Sequence, residues 1–583
     1  MNRFAIRHKS AGSGCYALNE NDLVINILTG KEVTSVILIH EDPFSAGTMP
    51  EDPWSTVETP MSKSRELELE MIWSVTLTPK FKREQYYFEI SDGEETLCLF
   101  EDGLYEKEKV ERKGRMKQYF KFPWLNPSDV ISPPSWAGDT VWYQIMPDSF
   151  CRGIHTEKSR LFHDWDNCDD ACWRDAFGGD IPGIISRLDY IKNLGISGIY
   201  LTPLFLSSSA HKYNISDYTK IDADFGTEED MVRLVNEAHS RGIRIMVDAV
   251  FNHSGTDFFA WQDVLEKGAD SHYLDWFFVN SLPVQQGRGT RDGRYFTFAF
   301  IENMPKLNTN NPAVMEYFAK ICTHWVKDWN IDGIRFDVGN EVSHGFLRHL
   351  RSVLKPLKKD LYLLGEIWHD SSQWLEGTEY DSVMNYPFVN SIQNFWVDEE
   401  KKSSDLLFAL NRVYSLYAEQ TNSVLFNFID SHDISRARVR CGNDDIFFMQ
   451  LTLLLTMQGS PCIYYGTEIG MGRREGEYNR LPMPWKKIDA GEYDEILSQT
   501  RALISIRNGC SAARNGRLEW DRALDESRVV HYRRVSKDGH FVEVWLNSCK
   551  EDFSVSTSGR PVFARKYNGE TLSPGGIAVF MDK

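Results

Sequence analysis

The chain has 583 residues, and its 84 Asp and Glu against 65 Lys and Arg leave a formal net charge of -19. At roughly four times the ~150 residues of a typical domain, it holds either several domains or one large α/β barrel with attachments. Its acidic balance argues against a nucleic-acid partner gripped through its phosphates, and 17 Trp in a chain that is 13% aromatic suit an enzyme stacking on flat apolar ligand faces.

The N-terminal stretch MNRFAIRHKSAGSGCYALNE has no apolar run of signal-peptide length. Ten scattered Cys show no paired framework, which favours reduced thiols in a cytoplasmic protein. Cys168 and Cys172 lie near His163, but their spacing is too loose to argue for zinc. The longest uncharged stretch, Ile446 to Thr467, is interrupted by Gln450, Gln458, Gly459 and Pro461, so it reads as a buried helix, turn and strand and not as a membrane span.

In chain order, residues 1–124 read as an N-terminal β-sandwich. Val33 to Ile39 is an apolar run, and Tyr86, Phe88 and Ile90 alternate before an Asp92-Gly93 turn. Residues 125–138, with Pro127, Pro133 and Pro134, read as a linker. From 139 to 506 a helix, a Gly or Asn, and a short apolar strand recur. In one unit Thr227 is the N-cap, Met231, Leu234, Val235 and Ala238 share a face, Gly242 ends the helix, and IRIMVD follows. The same grammar at Pro182–Pro203, Asn311–Asp337 and Phe346–Glu366 predicts a parallel sheet, best read as a (β/α)8 TIM barrel, with a doubly wound sheet as the alternative. Eight strands are expected near Val141, Ile199, Met246, Ile334, Leu363, Met384, Leu425 and Ile463. The aromatic-rich stretch 253–306, too long for a βα loop, is expected to form a lid-like subdomain inserted after the third strand. Hairpin grammar returns after Arg507, predicting a C-terminal antiparallel β domain over 507–583.

Four strand ends carry acid, base or amide residues: VDAVFNH (Val247 to His253), GIRFDVGNE (Gly333 to Glu341), GEIWHD (Gly365 to Asp370) and FNFIDSHD (Phe426 to Asp433). In one barrel, Asp337, Glu366 and Asp433 converge at one mouth, with Arg335 on the strand face of Asp337. One ionised carboxylate beside a protonated one is the requirement of glycoside hydrolysis. A single strand-ending Asp is more often a cap or an ion-pair partner; three in succession argue for chemistry.

In order and position these segments resemble the four conserved regions of the α-amylase superfamily, glycoside hydrolase family 13, over Trp142 to Gly470. MPKLN, Met304 to Asn308, together with the N-terminal β domain, resembles the branch of neopullulanases, cyclomaltodextrinases and maltogenic amylases. The resemblance implies Asp337 as nucleophile, Glu366 as general acid and then base, and Asp433 as a binder of sugar hydroxyls that favours a distorted ring. Arg335 is expected to keep Asp337 ionised, and Glu366, followed by Ile367 and Trp368, to sit among apolar neighbours as a proton donor requires. His253 and His432 are implied as donors to hydroxyls of the cleaved residue, Asp248 and Asn252 as scaffolding. His211 and Tyr213, in HKYNISDY, resemble a sugar platform, and Trp368 the platform on the leaving-group side. Tyr386 is implied to line the same groove, with core packing as the alternative.

What the resemblance implies is retaining cleavage of α-1,4-glucosidic bonds in cyclodextrins, pullulan and short maltooligosaccharides, with transglycosylation, by a homodimer whose N-terminal domains wall the partner's cleft. No nucleic acid or membrane enters this reading. Three departures stand out. The loop CRGIHTEKSR after Phe150, facing Gly178, Gly179 and Asp180, is poor in hard oxygen ligands, so calcium is not expected and no cofactor is assigned. In RREGEYNRLPMPW, Arg473 to Trp485, only Arg480 is carried over as substrate-binding. Asp430 adds a carboxylate beside the last strand-end acid, with a shifted pH optimum or altered hydroxyl contacts as its two readings. The alternatives are a glycosyl-transferring or isomerising member of the superfamily and a non-catalytic carbohydrate-binding protein on the same fold.

Overall fold

The computed structural model describes all residues except 46, 49–53, 111–116, 154–161, 169–170, 173, 473–478 and 583. The chain divides into two compact units. One comprises Met1–Ser132 with Leu375–Gly377 and Glu399–Asn422; the other comprises Pro133–Trp374, Thr378–Asp398 and Ser423–Lys583.

The first unit is a sandwich of a four-stranded and a six-stranded antiparallel sheet. Alternating burial along Glu84–Ser91 puts Tyr86, Phe88 and Ile90 into a core shared with Leu23, Ile25 and Ile27 of the other sheet. The Asp92-Gly93 turn is present, with Gly93 at φ +98°. The proline-rich stretch is not a free linker, because Leu125 is buried in the sandwich core and Val130 packs against it. Helix Ser403–Ser415 also belongs to this unit: Asn411 donates to the Glu66 carbonyl at 2.9 Å, and Gln420, farther on, to that of Ala17 at 2.7 Å. Two segments lying within the 139–506 stretch thus group with the N-terminal residues.

In the second unit eight parallel strands form the barrel: β1 Trp142–Ile145, β2 Gly198–Leu201, β3 Arg244–Ala249, β4 Gly333–Phe336, β5 Tyr362–Gly365, β6 Ser382–Val383, β7 Phe426–Phe428 and β8 Ser460–Tyr464. They pair in the order β6-β5-β4-β3-β2-β1-β8-β7, and a parallel bridge from Met384 to Phe426 joins the two ends. Every expected strand centre falls within one residue of an observed strand, since each is a short, fully buried apolar run. The helix Glu228–Ser240 opens with the Thr227–Asp230 capping box and buries Met231, Leu234, Val235 and Ala238.

The insertion after β3 carries helix Phe259–Lys267 around a core that includes Trp261, Phe277 and Tyr295, and returns to the barrel through the His253–Lys306 bridge. The C-terminal sheet begins at Arg517, ten residues later than read from sequence. Helix Asp494–Gly509 runs through residue 507, burying Leu497, Thr500, Leu503, Ile504 and Arg507 at helical spacing, and a second short helix, Ser511–Asn515, follows. The stretch from Ile446 resolves into helix Asp444–Thr456 and strand β8, and among the described residues no helix is long and apolar enough to cross a membrane.

Candidate active site

Pairing of β3 with β4 sets Asp248 opposite Arg335. The buried guanidinium takes three carboxylates. Nη1 donates to Asp248 at 2.8 and 2.9 Å and to Asp337 Oδ1 at 2.9 Å, and Nη2 lies 2.9 Å from Glu366 Oε2. Asp337 follows β4 and Glu366 follows β5, so parallel pairing of the two strands brings the carboxylates together. Between them Val338 sits at φ +46°, a left-handed conformation that costs a β-branched residue about 1–3 kcal/mol. That turn aims the Val338 amide at Glu366 Oε2, 2.9 Å away.

A second arm approaches from the ribbon after β2. Tyr213 Oη donates to Asp248 Oδ2 at 3.0 Å and meets His432 Nε2 at 2.5 Å; its ring lies parallel to that of His432, 5.4 Å away, and stacks on His211. His432 Nδ1 receives Gln144 Nε2 at 2.6 Å, which assigns the imidazole proton to Nε2, facing Tyr213 and, at 3.0 Å, Asp433 Oδ2. Arg480 closes the ring by donating to the His432 carbonyl at 2.9 Å, with Nη2 3.4 Å from Asp433 Oδ1. On the other side Trp368 stacks on Tyr386 at 3.8 Å; Tyr386 is buried, whereas Trp368 is 50% exposed and keeps an aromatic face for a ligand. All twelve side chains singled out from sequence therefore belong to one network of contacts. Asp433 reaches it from a loop five residues beyond β7, not from the strand itself.

The one positive charge of Arg335 is divided among three carboxylates, of which Asp337 is one. Burial pushes the Asp337 carboxyl well above its ordinary value, Arg335 opposing the rise and the charges of Glu366 and Asp248 adding to it. Burial raises Asp248 and Asp433 too, again against Arg335. Both Glu366 oxygens have polar partners: Oε1 accepts from Trp368 Nε1 at 3.0 Å and faces Tyr386 Oη at 3.5 Å, while Oε2 meets Arg335 and the Val338 amide. Burial lowers His211 to about 4, His253 to about 3 and His432 well below its ordinary value, so all three are neutral near pH 7.

This constellation sits on a chain with known relatives. The family model described as "Alpha amylase, catalytic domain" matches residues 144–505, and "Alpha amylase, N-terminal ig-like domain" matches 1–126. The chain belongs to the alpha-amylase family. It is 39% identical over 511 residues to a maltogenic alpha-amylase of Bacillus acidopullulyticus, covering 87% of this chain and 85% of that one. It is also 39% identical over 542 residues to a cyclomaltodextrinase of Geobacillus thermopakistaniensis (strain MAS1), covering 93% and 90%. A solved cyclomaltodextrinase superposes with TM-score 0.89 at 33% identity, covering 100% of both chains. The protein is thus a glycoside hydrolase of this family, and the acids around Arg335 are its candidate machinery.

Two residues make contacts that the sequence did not suggest. His253 has both ring nitrogens engaged, Nε2 by the Tyr213 carbonyl at 3.1 Å and Nδ1 by Asn252 Nδ2 at 3.3 Å, so here it holds the Tyr213 backbone and is not posed as a hydroxyl donor. Asp430 turns away from the network: it accepts from Thr467 Oγ1 and from the Ala437 amide, each at 2.9 Å, and so braces the loop after β8. Neither a hydroxyl contact nor a link to the catalytic acids follows from that placement.

Gln144, Tyr200, Lys306 and Glu341 were not found from sequence. Tyr200 Oη donates to Asp248 at 2.7 Å, a contact that β2–β3 pairing sets up. Lys306 reaches Asn252 Oδ1, the Glu341 carbonyl at 2.9 Å and Glu341 Oε2 at 3.0 Å, tying the insertion to the loop after Asp337. Burial lowers the Lys306 ammonium, against the pull of Glu341.

The described part of the loop after Phe150 does not fit a calcium ion. Asp148 accepts the Phe177 and Gly178 amides, Asp180 Oδ1 those of Gly153 and Gly183, and Arg152 occupies the carbonyls of Phe177 and His163. Residues 154–161 and 473–478, on which two of the sequence departures fall, lie outside the described residues.

Proposed function

We propose that this amylase-family enzyme cleaves α-1,4-glucosidic bonds of cyclodextrins, pullulan and short maltooligosaccharides by double displacement, with transglycosylation as a second outcome. Asp337 attacks the anomeric carbon while Glu366 protonates the departing oxygen; water, or a sugar hydroxyl, then gives its proton to Glu366 and displaces Asp337. The observation that carries this reading is the one guanidinium shared by Asp248, Asp337 and Glu366. Holding two acids on its neighbouring amino groups favours the ~5–5.5 Å separation of retaining enzymes over the ~6.5–9.5 Å of inverting ones. Burial raises the Asp337 and Asp248 carboxyls against Arg335, which favours a proton shared within the cluster, and an ionised nucleophile beside a protonated acid needs one.

The Tyr213–His432–Asp433 arm supports binding of hydroxyls at the cleaved sugar, and the exposed face of Trp368 supports stacking of the leaving sugar. A cytoplasmic location is supported by ten cysteines that are all free thiols. A homodimer is proposed on the resemblance alone, and sedimentation at micromolar concentration tests it. Product analysis on β-cyclodextrin, pullulan and soluble starch, read for panose against maltose and with Asp337→Asn as control, tests the activity. Equal turnover by parent and variant would overturn the mechanism.

A further inference from the structure

Between His211 and Tyr213 lies a residue that the reaction scheme leaves without a part. Lys212 has a left-handed backbone, φ +64°, which costs an L-residue other than glycine about 1–2 kcal/mol. Its side chain is buried, 1% exposed, and runs inward to Asp222 Oδ2 at 2.5 Å and the Ser207 carbonyl at 3.3 Å. Lysine is almost never fully buried unless paired. Asp222, also buried, accepts the amides of Ser207 at 3.2 Å and Asp224 at 3.0 Å, so the ammonium is anchored to the base of the ribbon formed by Phe205–Ser207 and Ile215–Ile221. The Lys212 amide donates to Ser209 Oγ at 3.1 Å, completing a tight turn.

What this turn presents is Tyr213. Its hydroxyl joins Asp248, the partner of Arg335, to His432, the partner of Asp433, and so links the two halves of the acid cluster. A buried ion pair is weak evidence for stability but can hold a unique geometry. An unfavourable backbone kept in place by such a pair beside reacting groups is the pattern of strain retained for positioning.

We propose that Lys212 is a positioning residue for the hydrolase: its buried ammonium, gripped by Asp222, holds the left-handed turn that sets Tyr213 between Asp248 and His432. The proposal rests on the hydrolase reading above. The Lys212 ammonium bonds to Asp222 and Ser207 and lies 5.2 Å over the Phe225 ring, so its effect on the acids is argued through the Tyr213 hydroxyl that the turn presents.

The test compares Lys212→Met with Lys212→Met/Asp222→Asn, which removes both charges and leaves no carboxylate buried alone, each in the parent and in a Tyr213→Phe background, using β-cyclodextrin as substrate. In the parent background each change should lower kcat/KM at least tenfold, chiefly through kcat, with folding verified by circular dichroism. In the Tyr213→Phe background the same change should cost less than threefold, because the hydroxyl it positions is gone. A merely structural role would lower thermal stability but leave turnover per folded enzyme unchanged. The proposal is overturned if a folded variant keeps kcat/KM within threefold of parent, if the loss is equal in both backgrounds, or if neither variant folds, which would make the pair an element of the fold. A parent inactive on every α-glucan would instead remove the hydrolase reading, and this role with it.

Discussion

Replacing Arg335 with Met removes the one cation that faces Asp248, Asp337 and Glu366 at N···O distances of 2.8 to 2.9 Å. At an effective dielectric of about 20, unit charges about 4 Å apart attract by ~4 kcal/mol. Three such attractions come to ~12 kcal/mol gross, most of it cancelled by desolvation of the ions and by repulsion among the carboxylates. The net cost of taking one partner from a buried ion cluster is about 3–5 kcal/mol, and that is the loss expected near pH 8. It should not be constant. In the variant the folded carboxylates hold protons at higher pH than the unfolded chain does, so the folded state binds more protons and the deficit shrinks as pH falls toward about 4. The assay is urea unfolding by Trp fluorescence at pH 8, 7, 6 and 5 for parent and variant, with kcat measured alongside. Turnover should drop at least about a hundredfold, because the nucleophile loses the counter-ion that favours its charged form. Arg335→Lys should recover little, since one ammonium cannot span three carboxylates. A variant as stable as the parent at pH 8, or a deficit that does not change with pH, would refute the reasoning.

Other outcomes follow from single contacts. His8, held at about 4 by burial among Tyr86, Phe88 and Phe120, is charged in the unfolded chain but neutral in the folded one between pH 6.5 and 4. It therefore removes up to about 3 kcal/mol of stability over that window as pH falls, a loss that His8→Gln should abolish in the difference between melting curves. Lys306→Met should lower kcat/KM about tenfold and expose the insertion to limited proteolysis, because the ammonium's three oxygen partners on Asn252 and Glu341 lose their donor. An intact insertion with unchanged turnover would contradict that role. Trp368→Ala removes a half-exposed stacking face and should raise KM by about five- to thirtyfold, or about 1–2 kcal/mol, with transfer to sugar acceptors reduced more than hydrolysis.

The fold was legible where local signals agreed. Barrel strands are short apolar runs between helices opened by caps such as Thr227–Asp230, so their positions were legible to within a residue, and Asp92-Gly93 marks a hairpin of the N-terminal sandwich. The C-terminal sheet starts later than the sequence suggests because helix Asp494–Gly509 carries Thr500 and Arg507 on its buried face, which weakens its periodic signal. That these strand-end side chains meet was legible from the sequence, but their partners were not. Nothing in the sequence says that Arg335 is divided three ways, that Asp430 points to Thr467, or that His253 spends its proton on the Tyr213 carbonyl. Each depends on the direction of a side chain in the closed barrel. Val338 and Lys212 were hidden for the opposite reason: neither residue type favours a left-handed backbone, so local propensity argues against the conformations the site imposes.

The central claim is that Asp337 forms a bond to the sugar. Rapid quenching of turnover with a fluorinated maltosyl substrate, followed by peptide mass analysis, reads it directly. The account predicts a glycosyl adduct on the peptide carrying Asp337, absent in Asp337→Asn, and a released sugar of α configuration by NMR. A β product with no adduct would contradict it.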